Sequence, residues 1–296
     1  MAVYPITFSI PECKVLTEVP VKTKLMSTII PGDTRTYIFK TEESYYNEYK
    51  TSMFALTPKK GGWDCMRHYE VLANGCIPYF PCIEYCPNTI LALLPKELLI
   101  EGNALYMKYK GTPFAEVDIK ECNILIEKLL AFTRQHLTTV GVAKYFLEKC
   151  QIHVPTIKRI LVLNGSPGPD YLRCSLLHGL KEIMGTACHD SPQIPHIYKS
   201  TTTDFIQLYG RGYSYTNLLE PSLHHKDSDR TLESDIKNMR YDLIVYGNLH
   251  RGMPYYDLVE KVYPGNKIVL LCGEDTHSCK YEKYVEKGHI LFIREM

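Results

Sequence analysis

Charged side chains and glycines cluster in the stretch PKKGGWDCMRHYE, which contains Lys59, Lys60, Gly61, Gly62, Asp64, Arg67 and Glu70. Glycines let backbone N–H groups approach a ligand closely, and the start of a helix carries a partial positive charge. Two lysines and one arginine add full positive charges to this turn. The pattern predicts a site for a diphosphate group.

Glu70 follows Arg67 by three residues, so a helix places both side chains on the same side. A carboxylate accepts several hydrogen bonds, which suits a ribose diol next to a bound diphosphate. The alternative is a solvated polar face on which Arg67 and Glu70 form a surface pair worth under ~1 kcal/mol. The spacing leaves both interpretations open.

Two common nucleotide motifs are missing from the chain. The Walker pattern GxxxxGK[ST] does not occur, and NGSPGPDY supplies only Gly165 and Gly168 rather than GxGxxG. A nucleotide-sugar epimerase or dehydrogenase would hold NAD, so the missing fingerprint counts against this class.

Short apolar runs in the first half of the chain predict buried strands, namely YPITFSI, KLMSTII, TYIF, MFALT and CIPYF. Helical patterns lie at 42–52 and 64–74, and the region 113–150 is helical. The glycine–lysine turn therefore stands at the carboxyl end of MFALT, before the helix that carries Arg67.

A second alternation of strands and helices follows QIHVPT. The strands are KRILVLNGSP, YDLIVYGNLH, KIVLLCGED and HILFIRE, and helices are expected at 171–185, 228–238 and 253–262. Such alternation predicts an α/β fold with two Rossmann-like domains, 1–152 and 153–296, whose parallel sheets face each other across a cleft. Ligands of such sheets bind at the carboxyl ends of the strands.

The segment LTPKKGGWDCMRHYEVLANGCIPYFPCIEYCPNTILALLPKELL resembles the donor-binding segment of exostosin-like glycosyltransferases of the GT-B architecture, most closely cytoplasmic members from large DNA viruses and microbes. In these enzymes an arginine and a glutamate of an R..E.LA.GCIP segment hold the nucleotide-sugar, which the resemblance carries over to Arg67 and Glu70. The second half is similar to the other domain of this family, which comes first in the relatives. The reversed order implies a circular permutation, which chains with neighbouring termini tolerate.

The resemblance implies an inverting transfer from a nucleotide-sugar to a hydroxyl of a glycan. A UDP-sugar such as UDP-xylose, UDP-galactose or UDP-glucuronic acid is the donor that this family implies. From the residues alone, a catalytically silent sugar- or nucleotide-binding protein of the same fold stays open.

Inverting transfer needs a base for the acceptor hydroxyl, and four residues at strand ends of the second half qualify: Asp170, His250, Glu274 and Asp275. Asp170 ranks first by its position after the first strand, but Asp also commonly caps a helix, here one starting near Tyr171. His250 and Arg251 suit an acceptor or phosphate, and a structural histidine is the alternative.

The stretch YGRGYSYTN places Arg211 and Tyr213 among glycines and tyrosines. We interpret it as a loop that faces the acceptor sugar, because long connections often carry function. A surface turn with packed tyrosines is the alternative.

A metal-dependent glycosyltransferase would use Asp227 and Asp229 in KDSDR as a DxD pair. Such a pair should end a buried strand, whereas TLESDIKNM follows it, so a helix start with favourable carboxylates is the better interpretation. Two sets match zinc spacing poorly: Cys76, Cys82 and Cys86, or Cys272, His277 and Cys279. We therefore expect no metal and no cofactor.

The net charge of +1 gives no sign of nucleic-acid binding. The N-terminal residues do not read as a signal peptide, and no run approaches the ~18 apolar residues of a membrane helix. With eleven cysteines, these features predict a cytoplasmic protein with buried free thiols. The 23 tyrosines suit sugar binding, although half-buried packing explains any single one equally well.

Overall fold

The computed structural model describes residues 2–153, 155–202, 205–276 and 280–296. The elements of the first half are β1 (Val3–Pro5), β2 (Lys24–Met26), α1 (Glu42–Thr51), β3 (Ser52–Leu56), α2 (Met66–Ala73), β4 (Ile77–Tyr79), α3 (Lys96–Tyr109), α4 (Ile119–Phe132) and α5 (Thr139–Lys149). Those of the second half are β5 (Ile160–Leu163), α6 (Tyr171–Met184), β6 (Cys188–Ser191), α7 (Lys226–Lys237), β7 (Leu243–Tyr246), α8 (Tyr256–Val262), β8 (Ile268–Cys272), α9 (Glu282–Glu286) and β9 (Ile290–Ile293).

A small parallel sheet has the strand order β2-β3-β4. Phe54 of the central strand lies opposite Met26 on one side and Ile77 on the other. Residues 52–55 are buried, as an apolar central strand requires. The glycine–lysine turn leaves the carboxyl end of this strand and leads into α2, as predicted.

The predicted strand TYIF is absent from this sheet. Only its first residue, Thr36, belongs to a regular element, the short 3-10 helix Thr34–Thr36, which begins where Asp33 accepts the backbone N–H of Arg35. An Asp side chain that bonds the backbone two residues ahead favours a turn over an extended strand.

A larger sheet contains six parallel strands in the order β1-β9-β8-β7-β5-β6. Its edge strand β1 comes from the start of the chain, and Val3 lies opposite Leu291 of β9. The prediction placed these residues with the first block of strands. The chain therefore crosses from the larger sheet to the smaller one between Pro5 and Lys24.

The larger sheet contains a topological switch point between β5 and β7. The chain passes from β5 to β6 on one side of β5 and then crosses from β6 to β7 on its other side. Ligands of open parallel sheets bind in the crevice outside such a point. The segments that follow β5 and β7 are therefore expected to border a site.

The helical region predicted for 113–150 is two helices joined by a π-helical turn, Thr133–Leu137. Thr138 then caps α5 by accepting the backbone N–H of Gly141. Helix α5 packs against α6 so closely that a Cβ atom at Gly179 would overlap the Thr139 carbonyl. This contact joins the last helix of the first half to the larger sheet.

The prediction missed α3, α9 and β6. The sequence of β6, CHDS, has polar residues that are buried or half-buried, and it pairs in parallel with β5. The fold class is confirmed as α/β with parallel sheets, consistent with Rossmann-like domains. Within the described residues, no helix combines the length and apolar character needed to span a bilayer.

Candidate functional site

A cavity of about 470 Å³ opens at the carboxyl end of the smaller sheet. Its volume falls in the range of small-molecule sites. Its walls come from the loop after β2, the turn and start of α2, and the segment 209–213 that follows β6. We call it the first cavity.

Arg67 of α2 borders the first cavity and is only 9% exposed. Its Nη2 donates to the hydroxyl of Tyr37, whose ring centroid lies 5.5 Å from the guanidinium carbon. Its Nε and Nη1 have no hydrogen-bond partner. A buried charge without partners is costly, so this guanidinium is suited to an anionic ligand.

Glu70, one turn further along α2, is 6% exposed and also borders the first cavity. Its carboxylate accepts the hydroxyl of Tyr45 at 2.8 Å and that of Ser214 at 2.5 Å. Burial raises the pKa of Glu70, while these two hydrogen bonds and the charge of Arg67 lower it. Two of its roughly four lone-pair sites stay available for a ligand.

The surface-pair interpretation of Arg67 and Glu70 is wrong, because every residue of α2 is buried. The packing of α1 and of segment 209–217 on this face of α2 removes both side chains from water. Among the described residues, the ion pairs do not include one between Arg67 and Glu70.

Asp64 borders the first cavity, but its carboxylate is engaged by the protein. It accepts the backbone N–H of Phe8 at 2.8 Å and the Tyr69 hydroxyl at 2.9 Å. Burial raises the pKa of Asp64 to about 6, against the opposing charge of Arg294. These bonds fix the N-terminal segment to α2.

The two lysines of the predicted phosphate turn lie in different surroundings. Lys60 borders the cavity, whereas Lys59 lies over the Trp63 ring at 5.0 Å from its centroid. A Cβ atom at Gly61 would lie 3.3 Å from the Asp275 side chain, and one at Gly62 would lie 2.5 Å from the Glu295 carboxylate. The glycines therefore admit the C-terminal segment as well as leaving room for a ligand.

A second cavity of about 370 Å³ lies at the switch point of the larger sheet. It shares Phe8, Tyr171, Tyr209 and Asp275 with the first cavity, so the two adjoin. Tyrosine and phenylalanine side chains thus form the boundary between them.

Asp170 caps α6 by accepting the backbone N–H of Arg173 at 3.0 Å, so the capping interpretation is confirmed. Its other oxygen accepts Asn248 Nδ2 at 2.7 Å and Arg251 Nε at 3.1 Å. The carboxylate borders the second cavity with three donors already bound. This arrangement leaves it poorly placed to take a proton from a substrate.

The other three predicted bases lie in different surroundings. Glu274 is half-buried in the second cavity, and the described residues show no hydrogen bond or ion pair to it. Asp275 borders both cavities and pairs with the fully buried Arg294. His250 is exposed outside both cavities, with Nε2 at 3.6 Å from Cys272 Sγ.

The two residues predicted to face the acceptor from YGRGYSYTN border the first cavity instead. Arg211 is exposed at its edge, and Tyr213 packs against Tyr45 with ring centroids 5.6 Å apart. Arg251, the third predicted acceptor-side residue, borders the second cavity and donates to Asp170 and to the Pro169 carbonyl. The connection after β6 reaches across to the smaller sheet, which the sequence did not indicate.

Asp227 and Asp229 lie in the first turn of α7, so the predicted helix start is confirmed. Asp229 contacts His224 Nε2 at 3.1 Å, and Asp227 lies 3.7 Å from Arg230. Of the zinc candidates, Cys76 and Cys86 are buried and Cys82 is exposed.

His277 and Cys279 lie outside the described residues. No cluster of three or more His, Cys, Asp or Glu side chains suited to a metal is found in the described part of the chain. The nine cysteines from Cys13 to Cys188 are free thiols.

Sequence reasoning missed Arg294, whose guanidinium lies 4.4 Å from the centroid of the Phe8 ring and donates to the Asp64 carbonyl at 2.8 Å. The sequence did contain a signal for Arg294, because an Arg–Glu pair follows directly after the buried strand ILFI. Ser214 and Tyr45 were also missed. Their hydroxyls carry no sequence signal, because the partner Glu70 is 25 or more residues away.

A search of protein-family models, curated proteins and solved structures finds no match to this chain. Function is therefore inferred from the geometry of the two cavities.

Proposed function

We propose that the protein is an inverting, metal-independent glycosyltransferase of GT-B type with permuted domains, and that it uses a nucleotide-sugar, expected to be a UDP-sugar. The observation that carries the proposal is the buried Arg67 guanidinium, with two unpartnered nitrogens, at the start of a helix in a cavity of about 470 Å³.

The diphosphate of the donor would bind Arg67, Lys60 and the start of α2. A cation and a helix N-terminus stabilise the negative charge that develops on a departing diphosphate. Glu70 would accept a hydroxyl of the ribose with its free lone pairs. Tyr37 and Tyr213, on the walls of the same cavity, offer rings for the base or the sugar.

The acceptor would occupy the second cavity, next to the boundary of shared aromatic residues. Glu274 would take the proton of the acceptor hydroxyl, because the carboxylate of Asp170 is occupied by three donors. The acceptor oxygen forms a bond to the anomeric carbon as the bond from that carbon to the diphosphate breaks. The electron pair leaves with the diphosphate, and the configuration inverts.

The proposal is tested by titrating UDP, GDP, CDP and their sugars into the protein, and by measuring nucleotide release with simple glycosides present. We expect one nucleotide to raise the Tm clearly, and its sugar to release nucleotide. Glu274→Gln should keep nucleotide affinity and lower kcat about 100-fold, the size of a lost general base. Failure of every nucleotide to bind would refute the proposal.

A catalytically silent nucleotide- or sugar-binding protein is the second candidate. It is favoured by the state of Asp170, the residue ranked first as the base. The carboxylate of Asp170 already accepts one backbone N–H of the helix that it caps and two side-chain donors. Nucleotide binding without turnover across a broad acceptor panel would favour this candidate over the enzyme.

A further inference from the structure

Ser214 links the two halves of the molecule at a buried position. It is 2% exposed, and its Oγ lies 2.5 Å from Glu70 Oε1 and 2.6 Å from the Tyr46 hydroxyl. Its backbone N–H donates to Glu42 at 2.6 Å, and Glu42 also pairs with Lys14 at 2.5 Å. One residue of the connection after β6 thus bonds three residues of the first half.

The backbone around Ser214 is held in an unusual conformation. Gly210, Arg211, Gly212 and Ser214 all have positive φ, and the value at Ser214 is 72°. Such a φ is uncommon for a residue other than glycine and persists only where the surroundings enforce it. The Tyr215 hydroxyl donates to the Tyr209 carbonyl and so links the two ends of segment 209–215.

Ser214 lies behind Glu70 rather than in the ligand space. Glu70 and Tyr45 border the first cavity, whereas Ser214 is not among its lining residues. The hydroxyls of Ser214 and Tyr45 bind one oxygen each of the carboxylate. The two bonds therefore fix the plane of the carboxylate without filling the cavity.

We propose that Ser214 is a positioning residue for recognition of the ribose hydroxyls: it holds the Glu70 carboxylate in the orientation that accepts them. This inference deepens the proposed function and rests on it. It also makes ribose recognition by the first half depend on a segment that belongs to the second half.

The test compares the affinities of ribonucleoside diphosphates with those of their 2′-deoxy counterparts, using UDP, GDP and CDP in calorimetric titrations. The wild-type protein should prefer the ribose form about 10-fold, as expected for a hydrogen bond to a charged group. Ser214→Gly removes the hydroxyl and suits the positive φ, so the fold should persist. We expect this variant to lower the preference to about 2-fold, since the carboxylate loses its fixed orientation.

Thr216→Val is the matched control, because Thr216 bonds the Gly212 carbonyl within the same segment. It should keep the wild-type preference. A merely structural role of Ser214 would weaken both nucleotide forms equally and leave their ratio unchanged, which would overturn the inference alone. The same holds if the wild type binds nucleotides without preferring ribose. If it binds none, the proposed function fails as well.

Discussion

The arginines of the two cavities differ in burial and in hydrogen-bond partners. In the first, Arg67 is buried with two nitrogens unpartnered. In the second, Arg251 is partly exposed and bonded to Asp170 and the Pro169 carbonyl. Both arginines follow a parallel strand at its carboxyl end, so position in the fold does not distinguish them.

What differs is how each charge is balanced. A carboxylate of the protein, that of Asp170, balances the charge of Arg251. No ligand anion is therefore required in the second cavity to neutralise this arginine. The guanidinium of Arg67 donates to the Tyr37 hydroxyl, and the carboxylate of Glu70, one turn further along α2, is bound by two hydroxyls. A ligand anion would satisfy the first cavity, whereas a neutral acceptor suits the second.

Exchanging each arginine for methionine should have the largest effect on the difference between the two cavities. Arg67→Met should weaken binding of the preferred nucleoside diphosphate about 100-fold, because charge-assisted hydrogen bonds are lost. Arg251→Met should change this affinity less than about 2-fold, since it removes no contact to the diphosphate. Calorimetric titration measures both.

Stability should respond in the opposite order. Arg67→Met removes a buried charge that has two unpartnered nitrogens and should leave the Tm unchanged or higher, whereas Arg251→Met should lower it. Equal loss of affinity in both variants would show that the diphosphate does not select the first cavity.

Asp170→Asn tests the hydrogen bonds that balance the charge of Arg251 in the second cavity. An amide oxygen still caps α6, but its NH₂ group would face the donors of Asn248 and Arg251. We expect the free energy of unfolding to fall by about 2 kcal/mol, with nucleotide affinity retained. Urea denaturation measures this change. Unchanged stability combined with lost turnover would instead restore Asp170 to the base role.

The smallest expected effect concerns pH. Burial lowers the pKa values of His68, His178 and His196 to about 4, so these rings are neutral when folded and take up protons on unfolding. Their stability contribution is complete above about pH 6.5 and is lost as the pH falls toward 4. Asp64, with its raised pKa of about 6, opposes this trend over a similar range.

His178→Gln tests this in a place remote from both cavities, where the ring bonds Thr139 Oγ1 at 2.8 Å. The dependence of unfolding free energy on pH between 5 and 6 should become shallower by about 1.4 kcal/mol per pH unit at most, which corresponds to one proton. Urea denaturation at both pH values measures it. The exposed His136→Gln is the control, and an equal effect in the two variants would contradict the assignment.

The order of most strands and helices could be predicted from the sequence. Runs such as ILVL, LIVY and IVLLC are buried strands because a parallel sheet covered on both faces needs continuous apolar side chains. The sequence also indicated that Asp170 caps α6, as one of two interpretations, because a cap involves only neighbours in sequence.

Strand and helix periodicities are local, so residue order alone places lysines, glycines, Arg67 and Glu70 at a strand-to-helix turn. The folded contacts are needed to establish that α2 is wholly buried, that Asp64 and Asp170 are engaged by the protein, and that Ser214 reaches Glu70. Burial and hydrogen-bond partners depend on contacts between residues far apart in the chain, which no spacing of residue types encodes.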